Sequence, residues 1–168
     1  MKETTKTPTA SDNIKKMHLE PDEQFMDLAL AEAQKAEAAG EVPVGAIVVA
    51  DGSIVGRGFN QPISTNDPTA HAEMVALREA ARAMGNYRLS TVTMYSTVEP
   101  CVMCAGAMIQ ARIARLVFGA PDSKAGSAGS IYNVLTDPRL NHRIEVLSGI
   151  RQAKCASLLR DFFARRRA

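Results

Sequence analysis

The pairing of His71-Ala72-Glu73 with Pro100-Cys101-Val102-Met103-Cys104, 26 residues further on, constrains this chain more than any other feature. An imidazole and two thiols are ligand types of tetrahedral zinc, and three protein ligands leave a fourth position for water. Glu73 is the obvious fourth ligand of a purely structural site. Left unbound, its carboxylate can instead take a proton from a metal-activated water and pass it on. Each half alone is ambiguous, because C-x-x-C also serves as a redox pair or a knuckle and H-x-E arises by chance. The metal reading therefore requires a fold that brings two distant segments to one point.

The periodicity of the rest of the chain describes such a fold. Pro21-Asp22-Glu23 opens a helical pattern with Phe25, Leu28, Ala29, Ala33 and Ala36 on one stripe, ending at Gly40. Val44 to Val49 is a near-continuous apolar run, Asp51-Gly52 is a two-residue hairpin signal, and Ile54 to Phe59 reads as the returning strand. Asp67-Pro68-Thr69 predicts a helix start, with the helix spanning about Ala70 to Met84 and closing at Gly85, so that His71 falls in its first turn. Thr91 to Thr97 reads as a strand, and Cys101 to Arg112 as a helix behind Pro100 with both cysteines on one face. Arg115 to Gly119 and Ile144 to Leu147 are further strands, with a Gly/Ser/Ala-rich loop from Pro121 to Ser130. Cys155, Leu158, Leu159, Phe162 and Phe163 mark the apolar stripe of a terminal helix. Five strands interspersed with at least four helices predict an α/β layered domain.

A chain of 168 residues is one domain's worth and buries a core without disulfides. Residues 1–20 lack apolar periodicity and are expected to form a disordered extension ahead of a single domain over 21–168. Met1-Lys2-Glu3 leads into no apolar signal core, and no apolar run approaches a membrane span. Three cysteines, two of them in the motif, fit metal ligation and not a secreted disulfide frame, which predicts a cytoplasmic protein without a membrane. Cys155 reads as core, and neither His18 nor His142 lies in a ligand pattern. A net charge of +2 does not by itself imply a nucleic-acid partner. Arg165-Arg166-Arg167, with Arg160 before it, is either a basic contact surface or a solvated helix end favoured by the helix dipole. Asn60, after the second hairpin strand, is a turn-capping residue by position alone.

From about residue 22 to Arg167 the chain resembles the bacterial tRNA adenosine deaminases of the cytidine deaminase-like superfamily, whose members carry the H-x-E…P-C-x-x-C signature. The resemblance extends past the motif to Glu41-Val42-Pro43-Val44-Gly45-Ala46, Asn86-Tyr87-Arg88-Leu89, Val117-Phe118-Gly119-Ala120, Ala128-Gly129-Ser130 and Asn141-His142-Arg143. It implies a three-layer fold, a five-stranded mixed sheet with helices on both faces. It implies one zinc per subunit on His71, Cys101 and Cys104, with Glu73 as the catalytic proton shuttle.

The implied reaction is hydrolytic deamination of the wobble adenosine of a tRNA anticodon to inosine, by a homodimer. Asn60 is then expected to hydrogen-bond the flipped base, and the loop around Asp122 to Lys124, with the basic end of the last helix, to touch the anticodon stem-loop. The loop carries Pro121 and Ser127 in place of the family's usual glycine/alanine pattern. A deaminase of free cytosine, cytidine or guanine and a noncatalytic zinc-stabilised module are the rival readings. The apolar run from Cys101 to Ile109 leaves too few polar positions for a solvated face, so that helix is either wholly buried or packs against its own copy.

Overall fold

The computed structural model describes residues 10–167. Five strands form one sheet in the order β2-β1-β3-β4-β5: β1 (Gly45–Ala50), β2 (Ser53–Phe59), β3 (Thr93–Val98), β4 (Arg115–Ala120) and β5 (Glu145–Ser148). The pairs β1–β2 and β1–β3 are antiparallel, whereas β3–β4 and β4–β5 are parallel. The sheet is thus mixed, as expected. Asp51 and Gly52 both take positive φ, 48° and 75°, the requirement of the tight turn their sequence signals.

Side-chain alternation divides the core in two. The register aligns Val48, Met94, Leu116 and Val146 across the sheet, and the adjacent row aligns Ile47, Tyr95, Val117 and Leu147. The first row packs with Ala76 and Leu77 of α3 (Ala72–Met84) and Cys104 and Met108 of α4 (Val102–Ala111). The second packs with Met26 and Ala29 of α1 (Ala10–Ala38) and Cys155 of α5 (Gln152–Arg167). With helices on both faces, the central strands bury both sets of side chains, which is why β1 reads as a continuous apolar run.

Several expected boundaries shift. α1 begins at Ala10 and passes through Pro21, so an unstructured stretch reaching residue 20 is not what the backbone shows; residues 1–9 lie outside the described residues. A proline removes one helix hydrogen bond and ordinarily ends the helix before it. Here contacts on both sides hold the turn. Leu19 and Phe25 pack on the same cluster, and the buried Asp22 carboxylate accepts the Tyr95 hydroxyl at 2.7 Å and both Arg115 Nη atoms at 2.8 Å. On the α1 stripe Met26 is buried and Leu28 is exposed, a rotation of the expected face. β3 starts at Thr93, because Leu89 donates its N–H to Ala111 and Val92 to Leu89 in a turn. A short helix α2 (Pro62–Thr65) has no periodic signal. It forms where the Glu41 carboxylate accepts Ser64 N–H at 2.7 Å.

Candidate active site

His71 and Cys101 are not inside their helices but immediately before them, with extended backbones at φ −70°, ψ 153° and φ −72°, ψ 174°. Each is the N-cap, the last residue before the chain winds up. The shift from the expected first turn follows from Asp67, whose Oδ1 accepts both Thr69 N–H and Thr69 Oγ1–H and so completes a turn ahead of the helix. α3 is set close against β2 because Gly58 has no Cβ; one built there would strike the Ala72 carbonyl. The start of α3 therefore lies beside the start of α4. The positive ends of both helix dipoles converge there.

The ligand atoms meet as the motif requires. His71 Nδ1 lies 3.6 Å from Sγ of both Cys101 and Cys104, and the three ligand atoms lie within 4.8 Å of one another. A tetrahedral zinc with bonds of about 2.0 Å to nitrogen and 2.3 Å to sulfur separates such atoms by about 3.5 Å. The residues thus fit zinc, with Nδ1 as the imidazole donor, and Glu73 is not among the clustered ligands.

Hydrogen bonding from Cys104, helped by His71, lowers Cys101 to about 3, while Cys104 is pushed up by its bond to Cys101 and by burial. A bound cation reverses the direction for Cys104, since a coordinating thiol is deprotonated outright. Glu73 is 4% exposed, and burial above all pushes its carboxyl up to about 7, with the Cys101 charge adding to it. His71 is raised, chiefly by its hydrogen bond to Cys101.

A pocket of about 200 Å³ opens over His71, Glu73 and Cys101, lined also by Val42, Val44, Asn60, Val98, Glu99, Asp122 and Ala125. Asn60 is among the lining residues, and its Oδ1 accepts Ala72 N–H at 2.9 Å, so that it caps the start of α3. Asp122 reaches the pocket, but Lys124 is exposed and does not line it. Asp122 Oδ1 accepts the Lys124 and Ala125 N–H groups and so turns the loop at that point.

Glu99 also lines the pocket, a residue that the motif's spacing does not single out. Burial raises its carboxyl, but hydrogen bonds from Ser130 and from backbone N–H groups outweigh that and hold it below the usual range. A glutamate beside the motif's proline was the only local signal.

Elsewhere, Cys155 is buried on α5, and His142 Nε2 donates to the Ile113 carbonyl at 2.8 Å, a loop tie and not a ligand. The basic end of α5 is partly engaged within the chain, as Arg165 pairs with Glu37 and Arg166 donates to the Gly40 carbonyl. On α4, Cys104, Ala105, Met108 and Ile109 are buried but Val102 is 57% exposed, so the helix is not wholly internal. No helix among the described residues is long and apolar enough to cross a membrane.

Residues 19–120 match the cytidine and deoxycytidylate deaminase zinc-binding region. The tRNA-specific adenosine deaminase of Haemophilus influenzae is 50% identical over 153 residues, which is 90% of this chain and 88% of that protein. That of Bacillus subtilis is 45% identical over 142 residues, 84% of this chain and 88% of that protein. A solved structure from work on A-to-I editing by tRNA:A34 deaminases at the wobble position of transfer RNA superposes with a TM-score of 0.78 at 43% identity, covering 81% of this chain and 99% of that one. A guanine deaminase from Nitrosomonas europaea superposes with a TM-score of 0.74 at 26% identity, covering 84% of each chain. With the zinc-ligand geometry and identity near one half over most of the chain, the protein belongs to the tRNA-specific adenosine deaminases, within the family of the cytidine and deoxycytidylate deaminase zinc-binding region.

Proposed function

We propose that this chain converts adenosine to inosine at the wobble position of a tRNA anticodon, adding water at C6 and releasing ammonia. The observation that carries this reading is the convergence of His71 Nδ1, Cys101 Sγ and Cys104 Sγ beside a buried, unligated Glu73, with His71, Glu73 and Cys101 lining one pocket. At about 200 Å³ the pocket is smaller than the roughly 300–1,000 Å³ of sites that engulf a drug-sized ligand. That size suits one extruded base, with the strand that carries it outside. The elements from α1 to α5 act here as a single domain.

His71, Cys101 and Cys104 would hold one zinc per subunit, which would supply the Lewis acidity that lowers the pKa of water at the site. Glu73 takes a proton from the attacking water and delivers it to N1 of the ring; it then takes the proton of the new C6 hydroxyl and passes it to the departing amine, so that ammonia leaves and a C6 carbonyl remains. Asn60 orients the base: it lines the pocket, and with Oδ1 committed to Ala72 N–H its Nδ2 remains to donate to a bound base. The valines around the opening exclude bulk water from the ring. The target base leaves a single-stranded loop, where unstacking costs less than in a duplex. Asp122 at the pocket, with Lys124 and the basic α5 end outside it, contacts the anticodon stem-loop, and phosphate contacts make its binding fall with salt.

The working unit is a cytoplasmic homodimer. Its support is the largely apolar surface shared by α3 and α4, where an open groove of about 410 Å³ is lined by Met74, Leu77, Leu89, Ala107 and exposed Tyr87, and where Val102 of α4 is exposed as well. Incubation with a tRNA bearing a wobble adenosine, read as guanosine in the complementary DNA, tests the activity. Turnover of free guanine or cytosine with the tRNA untouched would instead place the chain beside the small-molecule deaminases.

A further inference from the structure

Glu99 directly precedes Pro100-Cys101, is 3% exposed, and has both carboxylate oxygens occupied by one loop. Its Oε2 accepts Asp122 N–H at 2.9 Å and the Ser130 hydroxyl; its Oε1 accepts Ala128 N–H at 2.9 Å and Ser130 N–H at 3.0 Å. The loop folds so tightly over the carboxylate that a Cβ at Gly126 would strike the Glu99 carboxyl carbon. The same loop is stitched to the metal-ligand segment, since Gly126 bridges Cys101 and Ser127 donates its N–H to the Pro100 carbonyl at 2.8 Å. Glu99 borders a second cavity, of about 230 Å³, lined by Phe118, Pro121, Gly129 and Gln152. Open space supplies no packing contacts, so on that side the loop's placement depends on these hydrogen bonds.

We propose that Glu99 is the positioning residue of the substrate-facing loop 121–130, setting Asp122 and Ala125 against the pocket so that nucleotides flanking the extruded base are held in reacting geometry. This rests on the proposed activity. Four donors converge on two oxygens, a demand met by a carboxylate and not by an amide, which would turn an NH2 toward the loop's N–H groups. Asp122 receives both effects: its backbone N–H is held by Glu99, and its side chain turns the loop toward the pocket.

The test compares Glu99→Gln, Asp122→Ala and the double variant by zinc content, by kcat and KM on an anticodon stem-loop, and by amide hydrogen exchange. Glu99→Gln is expected to keep its zinc, lose about 10- to 100-fold in kcat/KM with a fall in kcat at saturating RNA, and exchange faster at residues 121–130 while α4 stays protected. Asp122→Ala is expected to cost little further in the Glu99→Gln background, as two residues acting through one loop are not additive. If Glu99→Gln does not fold, Ser130→Ala removes one donor and is expected to give a smaller loss in the same direction. Unchanged kinetics, losses that add in full, or loss of zinc with the activity would overturn the proposal. The exchange measurement needs no substrate, so it remains decisive if wild-type protein fails to deaminate the stem-loop; unaltered exchange in the loop would overturn it equally.

Discussion

The side-chain carbonyl of Asn60 accepts the backbone N–H of Ala72 at 2.9 Å, joining the chain just past β2 to the first turn of the helix that His71 caps. One residue therefore sets the helix start beside the metal ligands and lines the same pocket. The two roles use different atoms, and substitution separates them. Asn60→Ala is expected to lose about 1 kcal/mol of stability as a helix N–H loses its partner, together with most deamination. Asn60→Asp keeps the acceptor, so its melting temperature should stay near that of the wild type while activity falls through loss of the amide donors. Thermal melts beside stem-loop kinetics check both, and an active Asn60→Asp protein would remove Asn60 from the base contact.

The metal shell predicts about one zinc per chain. Cobalt substitution should give the absorption of a tetrahedral site with two thiolates and one imidazole, because His71 Nδ1 stands 3.6 Å from both sulfurs. Cys101→Ser should lower zinc content and activity together. A spectrum requiring a fourth protein ligand would contradict the open coordination position.

Glu73→Gln is nearly isosteric and keeps the buried site filled. It should retain zinc and RNA affinity while single-turnover deamination falls by about 100- to 10,000-fold, the usual contribution of a positioned proton-transfer group. Near-normal turnover would rule out Glu73 as the shuttle.

Burial pushes the Asp22 carboxyl up, but the bonds from Arg115 and Tyr95 outweigh it and hold it below its usual value. A carboxyl with a lowered folded-state pKa contributes stability above its unfolded value of about 3.9 and loses it as the pH falls through the folded value. Wild-type melting temperature should therefore drop steeply below about pH 4. Asp22→Asn should be less stable at neutral pH and show a shallower acid limb. Identical slopes would mean that this tie does not contribute to acid sensitivity.

Sedimentation equilibrium at micromolar concentration should give twice the chain mass of 18.1 kDa. Val102→Asp, on the exposed edge of α4, should shift the equilibrium toward monomer. A wild-type monomer with full activity would dispose of the dimer.

Features of this protein that depend on neighbouring residues were legible in its sequence. The hairpin at Asp51-Gly52, the αL cap at Gly85 and the doubly buried β1 each follow from local turn chemistry or side-chain period. So did both halves of the metal motif, because ligand types and their spacing at a helix start are local facts. What distant partners decide was not legible. The passage of α1 through Pro21 depends on an ion pair spanning 93 residues, from Asp22 to Arg115. The use of Nδ1 by His71 depends on where α4 begins relative to α3. Glu99 has no periodic or motif signature of its own, because a buried carboxylate takes its role from the donors the fold brings to it, and here those lie 23 to 31 residues downstream.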